Sequence, residues 1–293
     1  MTGFMGRDHV LVVAEGGSNH GGSLEATLAL TDAAADAGAD AMKWQLWHHE
    51  EMYEAGTEEY ATAEKWQLPA TYEWLGALRK RAHDRGMLFG LSSFGLRALN
   101  AADIYADFHK VASIEATWGL FVQAVLGKGK PTIISTGMMD RAGEFGFGSV
   151  FRNGYGWWTG SGNARDVVLL GCTVAYPCPI EDANVASLAD LAYEVQQYRL
   201  AGFGLSDHTT HPTIAPCAAV ALGASVIEKH IRPQRPGWIT PDWDHSIDPL
   251  QFREMVAAIR LTEQALGSSE KRIRPSEEKY IKYRRGPRGL RGA

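Results

Sequence analysis

The stretch Gly204–Ile231, "GLSDHTTHPTIAPCAAVALGASVIEKHI", decides the fold. With Gly202 and Phe203 in front of it, it begins in one short apolar run, GFGLSDH (202–208), and ends in another, SVIEKHI (225–231). An alanine-rich run of helical character joins them. A strand, helix and strand in this order make a crossover unit, which pairs its two strands in parallel. Parallel strands are buried on both faces and read as continuous apolar runs, as these two do. Both runs also turn ionisable at their C-terminal ends, one in Asp207-His208 and the other in Glu228-Lys229-His230.

Six more runs of the same kind lie upstream: VLVVAEG (10–16), AMKWQLW (41–47), LFGLSSF (88–94), FHKVAS (108–113), PTIISTG (131–137) and VVLLGCT (167–173). Helical patterns separate most of them. Residues 23–38 open on Ser23 as N-cap and close near Gly38, and residues 71–86 do the same with Thr71 and Gly86. Further helices are expected over 116–127, 184–200, 213–222 and 250–266. Eight strands with helices between them in about 270 residues predict one α/β domain, a (β/α)8 TIM barrel. One link departs from this rhythm. Residues 141–166 are rich in Gly and aromatics, have no helical period and replace the helix expected after strand five. Phe145, Phe147, Phe151, Trp157 and Trp158 make that segment either a packed surface loop or a lid or subunit contact. The expected domain division is a catalytic barrel over 1–270 and a basic tail or linker over 271–293.

A chain of 293 residues that is 45% hydrophobic can bury a large core. Its formal charge of -5 argues against a general nucleic-acid surface, though not against a cationic pocket. Three cysteines, Cys172, Cys178 and Cys217, make no disulfide framework and no zinc pair. The first residues lack a secretory apolar core, and no run is long enough to span a bilayer. The expectation is a cytoplasmic protein acting on a small molecule, with neither nucleic acid nor membrane as partner.

In such a barrel the strand C-termini carry function. The sequence places there Glu15 with Asn19, Lys43 and Gln45, Ser92 and Ser93, Lys110 with Ser113 and Glu115, Ser135, Cys172 followed by Tyr176, Ser206 with His208, and Glu228 with His230. Buried charges are costly unless paired, so such a set at one rim is hard to explain as packing. Lys43 and Lys110 with Ser93, Ser113, Ser135 and Ser206 form an expected anion cradle. His208 and His230, on neighbouring strands, suit a divalent transition metal. His211 is either a third ligand or an ordinary loop histidine.

These residues carry a resemblance. The strings AEGGSNHGGSLEATLALTDAAADAGADAMKWQ (14–45), STGM (135–138), CTVAYPCPIEDAN (172–184), SDHT (206–209), ALGASVIEKHI (221–231) and the tail RPSEEKYIKYRR (274–285) closely resemble the sialic acid synthase (N-acetylneuraminate synthase) family. The resemblance implies condensation of phosphoenolpyruvate with the open-chain aldehyde of an N-acylmannosamine-like aldose. The products are a 2-keto-3-deoxy sugar acid and phosphate. It implies a divalent metal, manganese first, with magnesium or cobalt as alternatives. Carried over to this sequence, Lys43, Ser93, Lys110, Ser113 and Ser206 hold phosphoenolpyruvate, and His208 and His230 bind the metal. Glu15 and Glu115 lie near the reacting centres with Glu228 in support. Gln45 and Tyr176 touch the sugar, and Asp244 in DWDHS (242–246) stands for an acidic residue of the family. Family members form dimers partly through a small C-terminal antifreeze-like domain. The sequence stops where that domain would start, which leaves a homo-oligomer open. Ile114, Val174 and SSFG (92–95) depart from the family's usual residues and bear on the acceptor. The alternatives are the same condensation on another aldehyde, a sugar isomerase that uses a metal, and a non-catalytic barrel binding a phosphorylated metabolite or a partner protein.

Overall fold

The computed structural model describes residues 8–69, 71–139, 164–235 and 237–286. Eight strands pair in parallel, each with the next and the last with the first, into a closed barrel. They are β1 (Leu11–Glu15), β2 (Ala41–Trp47), β3 (Leu88–Phe94), β4 (Phe108–Val111), β5 (Thr132–Ser135), β6 (Val167–Cys172), β7 (Gly202–Asp207) and β8 (Val226–His230). The predicted strands and the TIM-barrel architecture are therefore present. The Gly/aromatic segment assigned to 141–166 lies, apart from its last three residues, outside the described residues.

The helices follow from local chemistry. In α1 (Leu24–Asp36) the Ser23 side chain accepts from the Ala26 N–H, and Gly38 turns the chain out at φ +93°. Thr71 likewise accepts from the Trp74 N–H, one π-type turn ahead of the helix Ala77–Asp84. Three helices were not expected. Two short ones, His49–Met52 and Glu58–Ala63, follow β2, and Leu96–Tyr105 follows β3. The last begins at Gly95, which has no side chain to cap it, so the N-cap signal that marked α1 is missing there. Gly119–Leu126, Leu188–Tyr198, Ile214–Ala221 and Pro249–Leu266 fall within or beside their expected ranges. The chain divides into a compact unit up to Glu263 and a second unit from Gln264. Within the second unit Pro275–Tyr283 forms a 3-10 helix, at whose start the Arg274 N–H donates to the Glu277 carboxylate at 2.8 Å.

Strand side chains alternate between two cores. Val12, Ala14, Met42, Trp44, Leu91 and Ile227 point outward to the helices. Leu11, Val13, Ala41, Phe108, Ile133, Val168, Leu170 and Val226 point inward and plug the lower barrel. Phe108 fills its layer because Gly90 faces it: a Cβ there would lie 2.2 Å from the ring. By the same period of two, the next inward layer is Glu15, Lys43, Ser92, Lys110, Ser135, Cys172, Ser206 and Glu228. The apolar plug is thus the floor of a polar chamber that opens at the strand C-termini.

Candidate active site at the barrel mouth

The chamber is narrow, about 40 Å³, and lined by Glu15, Lys43, Gln45, Ser92, Lys110, Ser113, Ser135, Tyr176, Ser206, His208, Glu228 and His230 among others. Glu228 is its hub. Its Oε1 accepts from Lys110 Nζ at 3.0 Å and from Ser206 Oγ at 3.0 Å, and its Oε2 lies 3.7 Å from Lys43 Nζ. Lys43 ion-pairs with Glu15 and donates to Ser92 Oγ at 2.6 Å. Glu15 Oε1 accepts from the Gly17 N–H at 2.6 Å. Burial drives the Lys43 ammonium down to about 7, with Lys110 adding repulsion against the attraction of Glu228. Burial alone would raise the Glu228 carboxyl, but Lys110, Lys43 and Ser206 outweigh it and hold Glu228 well below the usual carboxylate range. The Ser135 hydroxyl is buried and has no hydrogen-bond partner, so it offers a free polar atom beside the lysines.

A second cluster adjoins the first. His230, Asp242 and His245 each offer a ligand atom, and these atoms lie within 4.8 Å of one another. His208 stands beside them, its ring 5.5 Å from that of His230 and 5.8 Å from that of His245. His208 Nδ1 is 2.9 Å from the Thr173 carbonyl, which assigns the proton to Nδ1 and leaves Nε2 as the open lone pair. His230 Nδ1 is buried without a hydrogen-bond partner, and His245 Nε2 lies 3.3 Å from Asp242 Oδ1. Burial pushes His208 down to about 4 and His230 well below the ordinary histidine value, so both rings are neutral. Burial would raise Asp242, but His245, His230 and Ser18 outweigh it and keep the carboxyl ionised. Neutral imidazoles, one with an unpartnered buried nitrogen, next to an ionised carboxylate fit a divalent transition metal.

The structure brings together Glu15, Lys43, Gln45, Lys110, Ser113, Ser135, Tyr176, Ser206, Glu228, His208 and His230. Four expected residues stand elsewhere. Ser93 follows the outward period, and its neighbour Ser92 faces the chamber. Asp244 is exposed, whereas Asp242 and His245, one turn apart, point inward. Asn19 is buried but spent on the loop after β8: its Nδ2 donates to Ile231 O and Ser246 Oγ, both at 2.9 Å, and its Oδ1 accepts from Thr240. Glu115 is half-buried, its carboxyl raised by desolvation, and it lines neither the chamber nor the outer cavity. His211 is exposed, and its ring accepts from the backbone N–H of Thr213, as a loop residue would. Asp242 and His245 were missed by sequence reasoning. The signal available was their spacing of three, which puts both on one side of a turn while Asp244 takes the other.

Above both clusters opens a wider cavity of about 490 Å³. Gln45, Ser113, Tyr176, His230, Asp242 and His245 form its inner end, and Trp47, Met52, Tyr53 and Trp66 stand in its wall. The Tyr176 ring packs against His208 and His245, with centroids 4.3 and 4.9 Å away.

Fold and site together define an α/β barrel whose mouth presents a buried cluster of lysines, serines and glutamates beside a histidine–aspartate cluster. The chain belongs to the NeuB family, whose model matches residues 30–271. It is 33% identical over 305 residues to the pseudaminic acid synthase of Campylobacter jejuni, covering 96% of this chain and 81% of that protein. It is 33% identical over 273 residues to the spore coat polysaccharide biosynthesis protein SpsE of Bacillus subtilis, covering 88% and 68%. Among solved structures, the N-acetylneuraminic acid synthetase of Leptospira borgpetersenii superposes with a TM-score of 0.80 at 28% identity, covering 96% of this chain and 93% of that one. Among the described residues, no helix is long and apolar enough to cross a membrane.

Proposed function

We propose that this protein condenses phosphoenolpyruvate with an aldose of the N-acylmannosamine kind, giving a 2-keto-3-deoxy sugar acid and inorganic phosphate. One observation carries the reading: the chamber lined by the lysine–serine cradle and the cavity lined by the histidine–aspartate cluster share Gln45, Ser113, Tyr176 and His230 in their walls, so an anionic donor and a carbonyl acceptor can meet where the two join. Lys43 and Lys110, with Ser92, Ser113, Ser135 and Ser206, hold the phosphate and carboxylate of the donor. Gln45 and Tyr176 orient the aldose.

His208, His230, Asp242 and His245 would hold a divalent metal, manganese being the first choice. A metal there supplies Lewis-acid polarisation of the aldehyde oxygen. C3 of the enol attacks the aldehyde carbon, the carbonyl π bond breaks, its oxygen takes up a proton to become the new hydroxyl, and positive character develops at C2. The Glu15 carboxylate, at the chamber wall, stabilises that charge and takes the proton of the water that adds to C2. The adduct then loses phosphate by C–O cleavage, and the lysines hold the leaving group. The barrel carries this activity, and residues 271–293 act as a tail.

The test is phosphate release from phosphoenolpyruvate with manganese across a panel of aldoses headed by N-acetylmannosamine, with product masses. Release that depends on metal and aldose, with a product whose mass is that of the two substrates plus one water less phosphoric acid, supports the reading. Turnover of aldose without phosphoenolpyruvate, or none with any aldehyde, overturns it.

A further inference from the structure

Asp242 and His245 come from an irregular stretch of chain. It leaves β8 at Ile231 and comes back beside it at Ile247. There the Ile247 N–H donates to the His230 carbonyl and the Arg232 N–H donates to the Ile247 carbonyl, both at 3.0 Å. Among the described residues between these two points there is no helix or strand. A metal needs its donors at fixed separations, and a loop without a hydrogen-bonded ladder does not hold them by itself. The clip at Ile247 fixes its ends and leaves its middle to other contacts.

Those contacts come from the loop after β1. Asn19 is 1% exposed. Its Nδ2 donates to the Ile231 carbonyl and to Ser246 Oγ, both at 2.9 Å, and its Oδ1 accepts from Thr240 Oγ1. The Ile231 carbonyl can only accept, so the amide nitrogen must face it and the side chain has one orientation. The three partners bracket the metal donors. Ile231 follows His230, Thr240 stands two residues before Asp242, and Ser246 follows His245. Ser246 Oγ passes the tether on by donating to the Asp242 carbonyl. Beside Asn19, the Ser18 N–H donates to Asp242 Oδ2 at 2.5 Å, and Ser18 Oγ accepts from the Asp242 N–H at 3.1 Å. That leaves Asp242 Oδ1 on the side of His245. Gly17 permits the approach, since a Cβ there would lie 2.3 Å from Asp242 Oδ2.

Building on the metal reading above, we propose that Asn19 is a positioning residue of the metal cluster, which fixes the turn 240–246 so that Asp242 and His245 meet His230. Asn19 lines neither the chamber nor the outer cavity, so it acts through the loop and not on a substrate. The sequence places it at the barrel rim among substrate contacts, and its three bonds turn it to a different task.

The experiment measures manganese affinity from the electron paramagnetic resonance signal of free Mn2+. It also measures the rise in melting temperature with phosphoenolpyruvate in the absence of metal. Both are read in the wild type, Asn19→Ala and Ser246→Ala, with circular dichroism to show that each is folded. Asn19→Ala is expected to weaken manganese binding about ten-fold or more, and Ser246→Ala to weaken it less. The response to phosphoenolpyruvate should stay as in the wild type, because the lysines and serines of the chamber stand on strands that Asn19 does not touch. A general loosening of the barrel would weaken both ligands together. Ser246→Ala carries the test if Asn19→Ala does not fold. Unchanged manganese affinity in the folded variants, or an equal loss for both ligands, overturns the positioning role and leaves the metal cluster standing. A wild type that binds no manganese removes the cluster and the positioning role with it.

Discussion

Replacing Glu228 by Gln isolates the charge balance of the chamber. The side chain keeps its shape and loses its charge. In the wild type Glu228 lies 3.0 Å from Lys110 and 3.7 Å from Lys43. At an effective dielectric of about 20 these attractions are about 5.5 and 4.5 kcal/mol. Desolvating three charges offsets most of that, and removing one partner of a buried pair costs about 3–5 kcal/mol. At about 2–4 °C per kcal/mol the unliganded variant should melt about 10 °C lower. The amide keeps one acceptor oxygen and must turn its NH2 toward one of the two ammonium groups, which leaves that lysine without an acceptor on residue 228. A dianionic ligand that enters the cradle supplies the missing charge, so phosphoenolpyruvate should raise the melting temperature of the variant more than that of the wild type. The sign with pH is fixed by the depressed carboxyl. Its contribution is complete above the unfolded value of about 4.3 and is lost as pH falls toward and through the lower folded value. The gap between the two proteins should therefore narrow on acidification below about pH 5. Melting curves with and without phosphoenolpyruvate, across pH, decide it. Equal melting temperatures, or a smaller ligand shift in the variant, would refute the placement of Glu228 as the counterion of both lysines.

Lys110→Ala should raise the KM for phosphoenolpyruvate about ten-fold or more while changing that for the aldose little, because it removes one charge-assisted contact to the donor; an equal rise in both would end its assignment to the cradle. His208→Ala and His230→Ala should each remove metal-dependent turnover and lower manganese affinity about 10–100-fold with the fold retained, and full activity in either, or unchanged manganese titration, counts against the metal cluster. Asp242→Asn should weaken manganese binding as well while Asp244→Asn leaves it unchanged, since only the first side chain reaches the histidines; the reverse result would restore Asp244. Lys43 titrates at about 7 when folded and near 10.4 when unfolded, so the unfolded chain binds more protons between these values and stability should rise with pH across that window. Lys43→Met should flatten that rise, and an unchanged slope from pH 7 to 10 in urea titrations would show that another group is responsible.

The barrel was legible because each crossover leads into an apolar run, and the helices that open at Ser23 and Thr71 carry a side-chain cap as well. Ser23 and Gly38 fixed one helix in this way. Leu96–Tyr105 escaped because a glycine precedes it and the carboxylate that accepts from its first turn belongs to Glu51, distant in sequence. In the chamber, residue types were legible but the facing of neighbours was not. Ser92 and Ser93 are chemically the same, and only the register against Gln45 and Leu46 shows which one looks in. A one-residue step on a strand reverses the face, and nothing in "SSF" marks the step. Asp242 and Asp244 pose the same problem on a turn, where the spacing to His245 decides and the acidic type does not.

Charge neutrality explains why the cradle looks the way it does. Two lysines alone, packed above an apolar plug, would each face a desolvation penalty of several kcal/mol with no anion present. Glu15 and Glu228 offset part of that penalty by acting as resident counterions, Glu15 in direct ion pair with Lys43 and Glu228 3.7 Å from it. The polyanionic donor of the proposed reaction would compete with these carboxylates for the ammonium groups and would bind more weakly than to an open pair of lysines. The serines take a different part. Ser92 and Ser206 are already engaged with Lys43 and Glu228, whereas Ser135 is not. A buried hydroxyl without a partner costs free energy until a ligand atom reaches it, so Ser135 gains its hydrogen bond only in the complex. Ser135→Ala should therefore leave the unliganded protein as stable as before, or slightly more so, while weakening phosphoenolpyruvate binding. A variant that loses stability without ligand and binds phosphoenolpyruvate normally would show that Ser135 serves packing and that the cradle ends at Ser113 and Ser206.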